Sequence, residues 1–191
     1  DTCLLTEFQE DMIAKGIVTG IEVFNNDEFY PRALSWSRDR KLTVFASSDV
    51  HGTISDDFGV HGSAASRTPF RPMTLVFVKD KTQEGVREAL DGRRTLAYFY
   101  DNLAGEEQWL KSLFLASVNL EKISEKGSSA SYKMTNLSGI QYKFTIGTAQ
   151  YTLDAGSSIH ITLPAAQREV SLHILNMHCY EGMHPVVSMA L

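Results

Sequence analysis

Apolar positions along the first two-thirds of the chain alternate between helical and strand-like spacing. Leu4, Leu5, Phe8, Met12 and Ile13 recur at the three-to-four residue interval of an amphipathic helix, with acids and Lys15 on the other side. Gly16 stands where such a helix ends. Residues 17–24 form a β-rich run with little polar alternation, which suits a strand buried on both faces of a parallel sheet. A helix is predicted over about 29–40, with Pro31 in its first turn. An apolar run over 42–46 predicts a second buried strand. Residues 73–78 and 94–99 predict two more, separated by a short helix over 83–90 for which Thr82 is the N-cap. A stripe of Trp109, Leu110, Leu113 and Phe114 predicts a helix from 106 to about 116. Residues 52–70, rich in Gly, Ser, Thr and Asp, read as one long polar loop, of the kind that often carries function.

Strand–helix–strand units imply parallel strands joined by right-handed crossovers. Functional groups in such folds gather beyond the carboxyl ends of the strands. About four units are present, too few to close an eight-stranded barrel. The texture changes near Ser117. From there short alternating stretches, separated by turn clusters such as Gly127-Ser128-Ser129 and Asp154-Ala155-Gly156, predict an antiparallel β-sandwich. The chain therefore reads as an α/β region, 1–116, and a β-sandwich of Ig-like type, 117–191.

Composition narrows the function classes. The chain has 191 residues, 43% hydrophobic and 21% charged, with a formal net charge of −5 and no dense Lys/Arg stripe. That balance argues against a general binder of duplex nucleic acid or of anionic membranes. No apolar run approaches the roughly 20 residues of a membrane span. Cys3 and Cys179 have neither metal-ligand nor disulfide-framework spacing. Residue 1 is Asp without a signal-like segment, the expectation for a processed chain or for a piece of a longer one.

The chemistry concentrates in Ser47-Ser48-Asp49-Val50-His51-Gly52, at the end of the second predicted strand. Strand alternation puts Asp49 and His51 on one side, as two metal ligands must be. A carboxylate plus an imidazole suits Zn, Mn or Fe better than Ca. The alternative is a solvated Asp and His ending a strand. Glu22, inside the first strand, is either a buried acid paired with an arginine or a group that orients a ligand. Asn25, at that strand's end, is a substrate or orienting contact, or simply a turn residue. Arg71 follows the polar loop and is matched to a phosphate or to Glu22. His61, in the loop, is a further substrate-site candidate or a solvated histidine, and Asp56 and Asp57 read as loop solvation. Arg94 reads as structural. His160, His173, His178 and His184 read as structural or solvated.

The α/β region resembles the PHP (polymerase and histidinol phosphatase) superfamily of metal-dependent phosphoesterases. Gly20-Ile21-Glu22-Val23-Phe24-Asn25 is similar to a late barrel strand of that family, and Asp49-Val50-His51 to its final Asp-x-His metal motif. Arg71-Pro72-Met73-Thr74-Leu75-Val76-Phe77, Glu88-Ala89-Leu90 and Gly92-Arg93-Arg94-Thr95 resemble the segment that follows in bacterial members with a C-terminal β-sandwich. The resemblance covers essentially the whole chain. It implies a partial (β/α)7-type barrel followed by the sandwich, divalent Zn, Mn or Fe as cofactor, Asp49 and His51 as metal ligands, and a small phosphorylated substrate hydrolysed as a phosphomonoester or phosphodiester. The family's N-terminal His-x-His has no counterpart here. The expectation is therefore a C-terminal portion that is incompetent alone, through proteolysis, expression as a fragment or loss of activity. An open half-barrel exposes edges and apolar surface, so the missing half or a second copy of the chain is expected to cover it. Bacterial relatives of this kind are often exported, although nothing within these residues fixes the compartment. The competing expectation is a non-catalytic binding module that uses the β-sandwich; aromatic residues clustered on one face would support it, and Tyr132, Tyr142, Tyr151 and Tyr180 are available, although tyrosine is ordinary in strands.

Overall fold

A computed structural model describes residues 4–52 and 71–191. The chain divides into two compact units. One takes Asp1–Trp109 and His178–Met183, the other Leu110–Met177 and His184–Leu191.

The first unit begins with α1 (Glu7–Ala14), started by a reciprocal cap. The Gln9 amide N–H donates to Thr6 Oγ1 at 3.3 Å, and the Thr6 amide donates to Gln9 Oε1 at 2.8 Å. Gly16, at φ +68°, closes the helix. No residue of α1 is buried, and Leu4 and Phe8 are each 70% exposed. β1 (Gly20–Asn25) pairs in parallel with β3 (Thr43–Ser47), and β2 (Glu28–Phe29) runs antiparallel to β1. Between them α2 (Pro31–Arg40) carries Pro31 at its start, where the missing N–H costs nothing, and buries Ala33 and Leu34.

A separate sheet holds β4 (Met73–Val76), β5 (Thr95–Phe99) and β6 (Asn102–Gly105), with β13 (Met177–His178) as its outer strand where the chain re-enters this unit. α3 (Gln83–Asp91) lies between β4 and β5 in sequence, and its first turn is capped by Thr82, whose hydroxyl accepts from Gly85 N at 3.0 Å. The core of the unit joins Val23, Phe24 and Val44 to Leu34, Ala97, Phe99 and Ala104.

The partial (β/α)7 barrel expected from the resemblance is not what forms. β1 and β3 pair in parallel, but β4 with β5 and β5 with β6 are antiparallel, and the strands fall into four sheets. Two local features explain the departure. Tyr100 and Asp101, at φ +46° and +59°, make a tight turn of the kind that folds a strand straight back, so β5 continues into β6 rather than into a crossover. The edge of β3 facing β4 and β5 is met by threonine hydroxyls instead of a ladder. Thr74 Oγ1 accepts from Ala46 N at 2.9 Å and donates to Ala46 O at 3.1 Å, and Thr95 Oγ1 donates to Val44 O at 2.7 Å. With these backbone groups satisfied, β3 requires no further strand on that side.

The second unit is antiparallel throughout. α4 (Glu107–Ser117) leads into it, burying Leu110 and Phe114. β7 (Val118–Lys126), β8 (Ser129–Asn136) and β11 (Ser158–Pro164) form one sheet, in the order β11-β8-β7. β9 (Tyr142–Ile146), β10 (Ala149–Leu153), β12 (Glu169–Ile174) and β14 (Val186–Ala190) form the other, in the order β10-β9-β12-β14. β12 alternates strictly between exposed and buried positions, and β8 nearly so. Phe114 packs edge-on against Tyr142 and Phe144, with ring centroids 5.0 and 6.4 Å away. Buried Asn136 ties the β8 turn to its surroundings: its amide donates to Ile140 O at 2.7 Å and Asp154 O at 3.1 Å, while its carbonyl accepts from Ser138 N at 2.9 Å.

Candidate metal centre

The site grows from the carboxyl end of β3. The strand stops at Ser47, and Asp49 stands at φ +52°, a left-handed conformation that Asp tolerates better than most residues. Asp49 and His51 are therefore brought together by a turn, not by strand alternation. Asp49 Oδ1 lies 3.5 Å from His51 Nε2, with the carboxylate half-exposed and the imidazole largely in solvent. Two donor atoms at that separation are close enough to share one cation. A catalytic metal needs at least three protein ligands. Among the described residues no group of three His, Cys, Asp or Glu side chains comes together. The pair thus fits a metal as part of a donor set and does not complete one.

Next to β3, β1 contributes Glu22 and Asn25. Asn25 Nδ2 donates to Glu22 Oε2 at 2.8 Å. Glu22 is exposed rather than buried, and no ion pair between it and Arg71 occurs among the described residues. Arg71 is half-buried just before β4. His61, Asp56 and Asp57 lie outside the described residues. Arg94 is structural: its guanidinium reaches Glu88 at 3.2 Å and the Phe77 carbonyl at 3.2 Å.

Hollows of about 450 and 380 Å³ in the first unit are lined by Glu22, the former also by Asn25 and the latter also by Ser47, and two further hollows lie at the other end of β3. One of about 340 Å³ is lined by Arg38, Lys41, Arg93, Glu106 and Tyr180, and one of about 540 Å³ by Phe45, Val86, Arg87 and Leu90. Both reach Lys41, which precedes β3, whereas Asp49 follows it. Neither contains Asp49 or His51. Sequence reasoning missed the Arg38 hollow because Tyr180 arrives from the distant segment His178–Met183. Tyr180 holds the Arg38 guanidinium 3.5 Å above its ring centroid. His178 packs on Phe29 in the same unit, with ring centroids 4.9 Å apart.

The four tyrosines available for an aromatic binding face do not form one. Tyr132 and Tyr142 are interior, Tyr151 stacks on Phe144, and Tyr180 belongs to the first unit.

No family model matches the chain, and no curated protein matches it. A solved two-domain protein of Bacteroides vulgatus containing a predicted PHP-like metal-dependent phosphoesterase superposes with a TM-score of 0.89 at 27% identity. The fold is PHP-like in that sense. The match covers 100% of this chain and 58% of the neighbour, so the chain spans well under two-thirds of that protein's length. A structure of the general kind read from the sequence motifs thus has the same fold.

Proposed function

We propose that this chain is part of a metal-dependent phosphoesterase in which Asp49 and His51 are two ligands of a divalent cation, Zn, Mn or Fe. The observation that carries the reading is the 3.5 Å approach of Asp49 Oδ1 to His51 Nε2 at a strand's carboxyl end, in a fold matched by a neighbour of that kind. A cation bound there lowers the pKa of a coordinated water and neutralises charge on phosphoryl oxygens. The protein's part is to hold that cation and to position a small phosphorylated substrate. Arg71 suits the phosphate, because a guanidinium offers two parallel donors to its oxygens. Asn25 and Glu22, joined by their hydrogen bond, form an orienting pair beside the site. His61 is assigned a substrate contact. The remaining ligands come from residues outside those described.

The test is hydrolysis of an aryl phosphate and an aryl phosphodiester by the full-length gene product containing this chain, with Mn or Zn supplied. Asp49→Asn and His51→Gln are each expected to lower metal affinity or activity by at least the roughly 10–100-fold seen on losing a mere ligand-orienting group. Wild-type hydrolysis and metal binding in both variants would overturn the assignment.

A further inference from the structure

β12 and β14 run antiparallel in the second unit, with His173 opposite Val186. The pairing extends one step further, because Ile174 N donates to Pro185 O at 3.0 Å. His184 lies two residues before Val186, on the same side of the strand line. It is therefore the diagonal neighbour of His173, a separation that long side chains bridge. The rings do meet: their centroids are 5.7 Å apart and their planes cross at 76°. His173 is exposed between buried Leu172 and Ile174, and His184 is half-buried.

A backbone contact sets the chemistry of His184. Its Nδ1 lies 2.7 Å from the Met177 carbonyl oxygen. That oxygen has lone pairs and no hydrogen, so Nδ1 carries the hydrogen and donates it. In the neutral ring the metal-binding lone pair then sits on Nε2. A backbone carbonyl holding the other nitrogen is the way proteins orient a ligating histidine. His173, on an open strand position, turns its ring within the broad χ2 well of histidine.

We propose that His173 and His184 form a two-imidazole site for a divalent transition-metal ion. Imidazole favours Cu, Ni and Zn over Mg and Ca, and Cu leads the affinity order. Metal–nitrogen bonds of about 2.0–2.1 Å put two ligating nitrogens within about 3.5 Å of one another, which neighbouring rings reach by small rotations. Among the described residues no third His, Cys, Asp or Glu joins them. Water fills the remaining positions, and the ion exchanges rather than being locked in as a closed structural zinc is. The site lies in the second unit and owes nothing to Asp49 or His51. Metal analysis of the whole protein therefore counts an ion that plays no part in phosphoester hydrolysis.

The experiment is calorimetric titration of the chain with CuCl2 and with ZnCl2, repeated for His173→Gln, His184→Gln and the double variant Asp49→Asn/His51→Gln. Paramagnetic broadening of histidine Cε1–H resonances by substoichiometric Cu(II) reads the same site in the unsubstituted protein. The expected result is one equivalent that weakens at least about tenfold in each sandwich variant, persists in the Asp49/His51 variant, and broadens two histidine resonances first. Unchanged binding in both His173→Gln and His184→Gln, or loss confined to the Asp49/His51 variant, would overturn the proposal. Broadening that begins at His51, His61, His160 or His178 would also overturn it. Loss of the Asp49/His51 phosphoesterase reading leaves these outcomes unaffected, so the two assignments fail separately.

Discussion

In the second unit β8, β11 and β12 alternate exposed and buried residues, and its aromatic core is closed. In the first, two short sheets meet through a small apolar core and threonine hydroxyls, and helix α1 has no buried residue. Phe114, Tyr142 and Phe144 are each fully buried in the second unit, while Leu4, Phe8 and Ile17 of the first are at least 66% exposed. The difference is one of source. Order in the second unit comes from apolar burial repeated strand by strand. Order in the first rests on a modest core plus individually placed polar contacts.

The strongest way to break this comparison is Phe114→Ala. Phe114 has no exposed surface and touches two aromatic rings. Truncation removes its transfer energy and leaves a cavity, a loss of about 3–5 kcal/mol. The second unit is expected to melt much earlier, while the near-ultraviolet signal and amide protection of the first unit persist. Simultaneous loss of both units in denaturant, followed by hydrogen exchange resolved by residue, would show that they are not energetically separate.

A smaller effect tests the hydroxyl seam in the first unit. Thr95 is 1% exposed and donates to Val44 O. Thr95→Val keeps the shape and removes the donor, so the carbonyl loses a partner at a cost of about 1–3 kcal/mol. Amide exchange should accelerate in β3 and β5 and stay unchanged in β8 and β12. Thr74→Val should add to it, since Thr74 serves both backbone groups of Ala46. An unperturbed β3 in both variants would mean that the sheets are joined by apolar packing alone.

The contrast also decides what could be read from the residues. Where period two governs, as in β8 and β12, the sequence pattern and the burial agree position by position. Helix ends were legible too, because Gly16, Pro31 and Thr82 act locally. The long apolar run at 17–24 misled: Ile17 is 66% exposed, and only Val23 and Phe24 of the run are buried. An apolar run signals that burial is available, not which strand will supply it. Strand direction was likewise hidden. A helix between β4 and β5 reads as a parallel crossover, yet the register Met73↔Tyr98 runs antiparallel. The paired positive-φ residues Tyr100 and Asp101, neither of them Gly or Asn, gave no turn signal. At the site, the Asp49–His51 pairing was legible from spacing, although a left-handed Asp49 rather than strand alternation makes it. The His173–His184 contact was not, because it depends on a register between strands eleven or more residues apart.

The smallest and sharpest test uses acid. Among the described residues, each unit has an ion pair near the surface whose carboxylate is held below its ordinary range. In the first, the hydrogen bond from the Arg40 guanidinium lowers Glu10, with partial desolvation opposing it, and the pair spans from α1 to α2. In the second, the hydrogen bond from Lys122 lowers Glu125, and both residues sit in β7. A carboxyl lowered by folding contributes stability that is present above its unfolded value and is lost as pH falls through its folded one. Both pairs therefore weaken in the same window, below the ordinary carboxylate range. Their consequences differ. α1 has no buried residue to hold it, so protonating Glu10 releases its ion pair to α2, whereas β7 keeps its whole ladder with β8. Acidification should raise amide exchange over 7–14 before any change over 118–126, and Arg40→Gln should reproduce the first effect at neutral pH. High salt should imitate acid weakly, since the pairs lie near the surface and are screened. Earlier loss of protection in β7 than in α1 would reverse the ordering that distinguishes the two units.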